Sequence, residues 1–576
     1  MIDRLVLVPA PRRIVPQPGA LVLTKRGTLP KGAGPEVHLG ATPGVAAEGY
    51  RLVVTPERVV IEAVDAAGVF YAKATLEQVL RGCAGHGAIP AMTIEDGPDF
   101  AERGVMLDVS RDKVPTMATL KGAIDLLAAL KVNRLQLYVE HTFAYPQHPR
   151  VWRDASPLTG AEIETLDAYA RERFIELVPN QNSFGHMERW LRLPEYAPLA
   201  EVAEPVGDYM SLCPVDPGSL SLLEGLYDAY LPHFSSRSFN VGCDETIDLG
   251  KGRSASAVAE RGVGRVYLDF LLEIHRLVRE RGRRMQFWGD IILEHPDLIR
   301  ELPHDAVALN WGYEADHPFA AEGEKFAEAG LAYHVCPGTS TWLSLAGRTA
   351  NAMRNLEAAA RAGRANGAVG MLVTDWGDYG HWQPWPVSFL GLTYGAAMAW
   401  GAAANEVLDV TRALDLHVFQ DEERVLGTLA RDLGDVHLEA GVTPKNASVL
   451  ALLLLFPDRP IGEGRLAGLT VEGLERTLAS TERILRPLER ARSLRGDGKL
   501  IVREMQLAAD MVRLACRVGI ARLETPGGSF RAISGAIRQA LTSDLDDLVR
   551  AYRRIWLERN RPGGLPDSIA RFERLK

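Results

Sequence analysis

Ser238-Phe239-Asn240-Val241-Gly242-Cys243-Asp244-Glu245 is a short apolar run that stops on two adjacent carboxylates. Read as a β-strand, it has seven counterparts: Gly104–Val109, Arg134–Val139, Phe174–Pro179, Arg284–Trp288, Val307–Trp311, Ala332–Val335 and Gly370–Thr374. Runs with helical spacing lie between them, among them Met117–Leu130, Ile163–Arg173, Val266–Arg281 and Ala350–Ala362. Strands that alternate with helices form parallel β-α units, and eight such units predict a closed (β/α)8 TIM barrel over residues 99–404. That fold places its site at the C-terminal ends of the strands. Polar and aromatic residues collect there. Strand one closes on Asp108, Ser110 and Arg111, strand two on Glu140 and His141, and strand three runs into Asn180, Gln181, Asn182 and His186. Strand five gives Trp288 and Asp290, and strand six Asn310, Trp311 and Tyr313. Strand seven gives only Thr339 and Trp342, whereas strand eight gives Asp375, Trp376, Asp378, Tyr379 and His381.

The chain has 576 residues, more than one core accommodates. Residues 1–98 read as an α+β accessory domain, with a hairpin of Tyr50–Val54 and Val59–Ala63 and a turn-rich linker from Pro90 to Pro98. Residues 405–576 read as a C-terminal α-helical domain: Val471, Leu474, Leu478, Leu485 and Leu488 mark one amphipathic helix, and Val502, Met505, Ala509, Val512 and Cys516 another. A leftover apolar face on these helices would serve a homodimer. The net charge of −9 argues against a nucleic-acid partner. The five cysteines are scattered and never in Cys-x-x-Cys spacing, which implies free thiols and no zinc site. No segment reads as a signal peptide or a membrane span, so a cytoplasmic protein without a membrane partner is expected.

Seven of the ten tryptophans fall between Trp288 and Trp400. Indole faces stack on pyranose rings while carboxylates and Arg take hydroxyls, so the expected partner is a small glycan or glycoconjugate. Cleavage by a protein nucleophile wants two carboxylates facing each other about 5–5.5 Å apart. Asp244 and Glu245, neighbours at a strand end, point in divergent directions. They suit a different division of labour. A 2-acetamido group of the substrate attacks its own anomeric carbon; one carboxylate orients it and the other is the general acid/base. Two other readings stay open from the residues alone. One is a carbohydrate-binding protein with impaired catalysis, and the other a glycosidase acting on a non-acetamido sugar through a remote carboxylate such as Asp378 or Glu140. Cys243 lacks a base and sits beside carboxylates, which disfavours a thiolate.

These residues resemble the family 20 glycoside hydrolases, the β-N-acetylhexosaminidases. The resemblance spans roughly residues 45–400, from Glu48-Gly49-Tyr50-Arg51-Leu52 and Ala67-Gly68-Val69-Phe70-Tyr71, through Arg103-Gly104-Val105-Met106-Leu107-Asp108-Val109-Ser110-Arg111, to Gly242-Cys243-Asp244-Glu245. It implies a zincin-like N-terminal domain with no metal and no cofactor, since no His-Glu-x-x-His occurs. It implies a retaining, exo-acting enzyme on terminal β-linked GlcNAc or GalNAc, with Asp244 orienting the acetamido group and Glu245 as acid/base. Arg103 would hold sugar hydroxyls, and Glu140, His141, His186, Trp288, Trp311, Tyr313, Trp376, Asp378 and Tyr379 would complete the substrate site. The chain departs from the family pattern at Cys243, at Pro179-Asn180-Gln181-Asn182-Ser183-Phe184-Gly185-His186 and at Gln136-Leu137-Tyr138-Val139-Glu140-His141. It is similar to a divergent, hexosaminidase D-like branch.

Overall fold

A computed structural model describes residues 5–40, 46–207 and 209–576. The N-terminal sheet has β1 (Arg13–Val22), β2 (Glu36–Leu39), β3 (Tyr50–Val54), β4 (Val59–Ala63) and β5 (Ala88–Asp96), in the order β1-β5-β3-β4-β2, with helix α1 (Ala66–Cys83) packed on it. The hairpin β3–β4 is antiparallel as its alternation predicts. The stretch expected to be a linker is instead β5, paired with both β1 and β3. Pro90 is tolerated because it lies where the β1–β5 register is irregular and outside the β3 ladder, so its missing donor costs little.

The barrel is closed by eight parallel strands: β6 (Glu102–Asp108), β7 (Arg134–Val139), β8 (Glu176–Gln181), β9 (Ser238–Asn240), β10 (Arg284–Trp288), β11 (Val307–Trp311), β12 (Ala332–Cys336) and β13 (Gly370–Asp375). Phe174, expected to open the third strand, has φ 58 and closes the preceding turn, so β8 starts two residues later. The helices between strands bury one stripe each. In Val263–Glu280, Val266, Phe270, Leu271, Ile274, Leu277 and Val278 face the barrel. Inside the barrel, Gln136 donates to the Gln286 side chain (2.9 Å), and its own oxygen accepts from Asn180 (3.0 Å) and Asn240 (2.9 Å). One amide thereby ties four strands together through three hydrogen bonds, as a buried polar group requires.

At the N-terminal end of the barrel, Lys131 pairs with Asp96 (2.7 Å), with neither side chain exposed, and Trp400 donates to the same carboxylate (2.9 Å). Trp400 belongs to helix Phe389–Asn405. Contrary to the sequence expectation, the segment Trp385–Asn405 is long and apolar enough to cross a membrane; most of it is buried, as the helix that covers the last barrel strand.

Helices Val471–Leu485, Gly498–Leu523, Gly535–Arg559 and Leu565–Glu573 follow. They pack on the barrel from its other side: Trp382 stacks on Phe572 at 3.7 Å, Thr119 donates to the Arg559 carbonyl (2.6 Å), and Arg189 pairs with Asp567 (2.9 Å). The last helix thus reaches the C-terminal rim of the barrel.

Candidate active site

Asp244 and Glu245 occupy the end of β9 because the backbone turns left-handed there. Gly242 has φ 71, Cys243 φ 74 and Glu245 φ 48. Gly242 cannot be replaced, since an added Cβ would sit 1.8 Å from the Asn182 side-chain oxygen. Asn240 accepts from the Gly242 N–H (3.0 Å), Asn182 from the Cys243 N–H (3.3 Å), and Asp290 from the Glu245 N–H (3.0 Å). The loop after β8 packs directly on this turn. A Cβ on Gly185 would meet the Asp244 carbonyl at 2.3 Å, which brings the next residue, His186, onto both carboxylates.

His186 Nε2 lies 3.4 Å from Asp244 and 3.3 Å from Glu245. Burial lowers the imidazole's pKa, but Asp244 and then Glu245 outweigh it and hold His186 protonated well above its usual range. The ligand atoms of these three residues lie within 4.8 Å of one another, close enough for a metal ion. With Nε2 facing both carboxylates, a protonated His186 forms a charge pair with them. Asp244 is buried, and its Oδ1 has no hydrogen-bond partner. Asp244 itself lies just behind the cleft lining that Glu245 and His186 form, and an orphaned carboxylate oxygen there can take a ligand donor. Glu245 is a third exposed and faces the cleft.

The cleft, of about 1420 Å³, is also lined by Arg111, Glu140, Glu188, Tyr209, Asp290, Trp311, Tyr313, Asp378 and Tyr379. Beneath it lies an aromatic cluster of Tyr138, Trp288, Trp342 and Trp376, against which Trp311 packs. Trp376 donates to the Tyr313 hydroxyl (2.7 Å). Trp311 and Tyr313 are stacked, 5.1 Å between centroids. Asp378, Tyr379 and His381 all have left-handed backbones at φ 38, 32 and 51, a run of strain that points to a functional loop. Burial is the main reason that Asp378 is raised to about 6, Glu188 to about 7 and Asp290 to about 7; for Asp290 the Asp244 charge adds to it.

Two expected site residues lie elsewhere. Arg103 is the second residue of β6, at the opposite end of the barrel. It is 1% exposed and donates to the carbonyls of Lys131 (2.9 Å) and Phe100 (2.9 Å) and pairs with Glu48 (2.6 Å). Arg111, just past the other end of the strand, takes the place in the cleft. It pairs with Asp108 (3.1 Å) and Glu140 (3.2 Å) and its guanidinium lies over Tyr138 and Trp376. His141 is buried away from the cleft lining, and burial lowers its pKa to about 3. Trp288 and Trp376 form the floor and do not line the cleft. Of the other tryptophans in the enriched stretch, Trp400 packs into the core of the N-terminal domain against Tyr71, and Trp382 holds the C-terminal helices. Burial, then Asp244 and Asp290, push the Cys243 thiol up, which removes it as a nucleophile.

Arg111 and Asp290 were legible as strand-end residues but were not carried into the predicted site. Glu188 and Tyr209 carry no sequence signal, because they reach the site from the long loop after β8. The residues that the C-terminal domain contributes, among them Phe456, Arg459 and Arg571, are equally silent in sequence.

The family model for glycosyl hydrolase family 20, catalytic domain, matches residues 100–405, and that for domain 2 of the same family matches residues 26–97. A β-N-acetylhexosaminidase of Cellulomonas fimi is 26% identical over 321 residues, which cover 52% of this chain and 60% of the relative. Hexosaminidase D of Bos taurus is 26% identical over 233 residues, 38% of this chain and 66% of its own. The chain therefore spans less than two thirds of the length of these relatives. Among solved structures, a Flavobacterium johnsoniae chitobiase superposes with a TM-score of 0.59 at 17% identity, covering all of both chains, and a β-N-acetylhexosaminidase from Bacteroides fragilis with 0.55 at 20%, covering 69% of this chain and 91% of that one. At these identities the likeness shows the fold.

Proposed function

The chain belongs to glycosyl hydrolase family 20, and from that premise we propose that it is a retaining exo-β-N-acetylhexosaminidase working by substrate-assisted catalysis. The observation that carries this reading is the buried Asp244 Oδ1 without a partner, beside Glu245 and across from a charged His186. Asp244 accepts the acetamido N–H of the substrate. That turns the acetamido carbonyl oxygen toward the anomeric carbon. The Tyr313 oxygen accepts the Trp376 indole N–H and also meets the Thr374 side chain; turned toward the substrate, its O–H would donate to the acetamido carbonyl and hold it. Glu245, in its protonated form, gives its proton to the leaving oxygen. The acetamido oxygen displaces the leaving group, forming a cyclic oxazolinium, and Glu245 then takes a proton from the water that opens it. Two displacements at one carbon retain its configuration. Arg111, Glu140 and Asp378 take sugar hydroxyls, and the aromatic cluster of Trp288 and Trp376 backs the residues that line the cleft.

Hydrolysis of aryl β-GlcNAc, β-GalNAc and β-glucoside by the wild type and by Asp244→Asn tests the reading. The wild type should cleave only the acetamido sugars, and Asp244→Asn should lose roughly 10²–10³-fold on them, the scale of one stabilising group aimed at developing charge. The faster acetamido sugar names the preferred epimer. Glucoside cleavage that survives the substitution would overturn the mechanism.

A further inference from the structure

The family match ends at residue 405, yet the outer wall of the cleft comes from beyond it. Phe456 is set edge-to-face against Tyr379, 5.2 Å between centroids. Arg459 lies over the Phe456 ring at 3.8 Å. Arg465 comes from the following turn and donates to the Lys445 carbonyl, so Lys445 and both guanidiniums share one patch on this wall. Among the described residues, no carboxylate lies within ion-pairing distance of Arg459, Arg465 or Lys445, whereas Arg111, Arg189 and Arg571 in the same cleft each have one. Glu314, on the same wall, is already held in a fork by Arg348 (2.7 and 3.0 Å) and accepts from the Asn446 N–H (2.7 Å). Asn446 in turn accepts from the Trp342 indole (3.2 Å), which anchors this segment to the aromatic floor.

Three cations gathered beside an aromatic platform with no carboxylate paired to any of them are costly unless something anionic joins them. Partial burial is the main reason that the Arg465 guanidinium is pulled below its usual range; the Arg459 charge adds to it, while Tyr379 and Glu314 pull the other way. Tyr379 follows directly on Asp378, and Asp378 lies against the terminal-sugar pocket. The patch is therefore next to where a leaving group would emerge.

We propose that Arg459 and Arg465, with Lys445, form a leaving-group subsite for a sugar that carries an anionic substituent, a carboxylate or a sulfate, with its ring resting on Phe456 and Tyr379. The inference rests on the hexosaminidase reading and adds to it the chemical class of the aglycone. Planar guanidiniums bind such oxyanions in pairs, and the aromatic edge takes the apolar face of the ring.

The test compares three disaccharides of one linkage: GlcNAc β-linked to glucuronic acid, to glucose 6-sulfate and to glucose. Each is given to the wild type and to the Arg459→Gln/Arg465→Gln double variant. The wild type should favour one anionic disaccharide over the neutral one by roughly tenfold in kcat/KM, the scale of two solvent-screened ion pairs. The ratio should fall to about twofold or less in the double variant, and whichever anion gives the larger ratio identifies the group. In the wild type alone the ratio should shrink as salt is raised from about 0.05 to 0.5 M, an arm that does not depend on the variant folding. Cleavage of the glucose disaccharide without an anionic preference, or a preference that salt and the double substitution leave intact, overturns the subsite alone. Failure to cleave these disaccharides and aryl β-GlcNAc overturns the hexosaminidase reading together with it.

Discussion

Arg103 and Arg111 stand at the two ends of one strand and have almost the same surroundings. Each guanidinium is set against two aromatic rings, Tyr71 and Trp400 in one case and Tyr138 and Trp376 in the other, and each pairs with a glutamate, Glu48 or Glu140. The difference is in how their donors are used. All three nitrogens of Arg103 are engaged, by backbone carbonyls, the Tyr71 hydroxyl and Glu48. Arg111 is held through Nε and Nη1 by Glu140 and Asp108 and faces a cleft. A guanidinium whose fork is filled with main-chain carbonyls joins domains; one oriented by carboxylates, with donors left over, can bind a ligand. The N-terminal end of the barrel is therefore built for stability and the C-terminal end for chemistry, which is the division this fold favours.

The largest break in that division should come from Glu245→Gln. It keeps the shape of the turn and removes the proton that the leaving group needs, so kcat on a substrate with a poor leaving group should fall by about 10³–10⁴-fold. A near-normal rate would take the acid/base role away from Glu245. An activated aryl leaving group needs less help, so the loss there should be smaller. The same change applied at both ends of the strand sharpens the comparison next. Lysine keeps the charge and loses the fork. Arg111→Lys should cost on the order of 10²-fold in kcat/KM, the equivalent of one or two charged hydrogen bonds, and move the melting temperature little. Arg103→Lys should leave kcat/KM of the folded enzyme within about twofold and lower the melting temperature by several degrees, because buried carbonyls lose their donors. Matching kinetic losses in the two variants would erase the distinction between the ends.

The barrel was legible because each strand is a short apolar run between amphipathic helices, and because its polar residues follow its C-terminal end. The Asp244–Glu245 pair could be read from that position alone. The Arg103 assignment failed for a physical reason: sequence shows residue type and strand, but not whether a guanidinium's donors are already filled, and these are filled by carbonyls of Lys131 and Phe100. His141 failed in a related way. It neighbours Glu140, and at a strand end successive side chains alternate, so one of the two faces away from the cleft. The tryptophan enrichment mixed four jobs, cleft lining by Trp311, floor, domain contact and helix packing, that only tertiary structure separates. Phe456, Arg459 and Arg465 were out of reach, since more than two hundred positions part them from Glu245 and no local pattern ties a helical segment to a barrel rim.

The smallest expected effect concerns a charge that the cleft end keeps at a cost. Asp290 accepts the Glu245 N–H, yet its Oδ1 is buried without a partner, and burial followed by the Asp244 charge raises the carboxyl to about 7. In the unfolded chain the same group titrates near 4. Between about pH 4 and pH 7 the unfolded state therefore binds fewer protons at this position than the folded state. Stability must fall as pH rises through that interval and stay lower above it. Asp290→Asn can still accept the Glu245 N–H and never ionises. Its melting temperature should match the wild type near pH 4 and exceed it by a few degrees at pH 8, with the gap opening between those values. The base of the barrel is the counterpart: Lys131 and Asp96 are as deeply buried, but they are paired at 2.7 Å, so neither is left to bear its charge alone. An equal gain at pH 4 and pH 8 would mean that repacking, not the relief of a stranded charge, separates the Asp290→Asn variant from the wild type, and the cleft end would lose its mark as the end where charge is held at a cost.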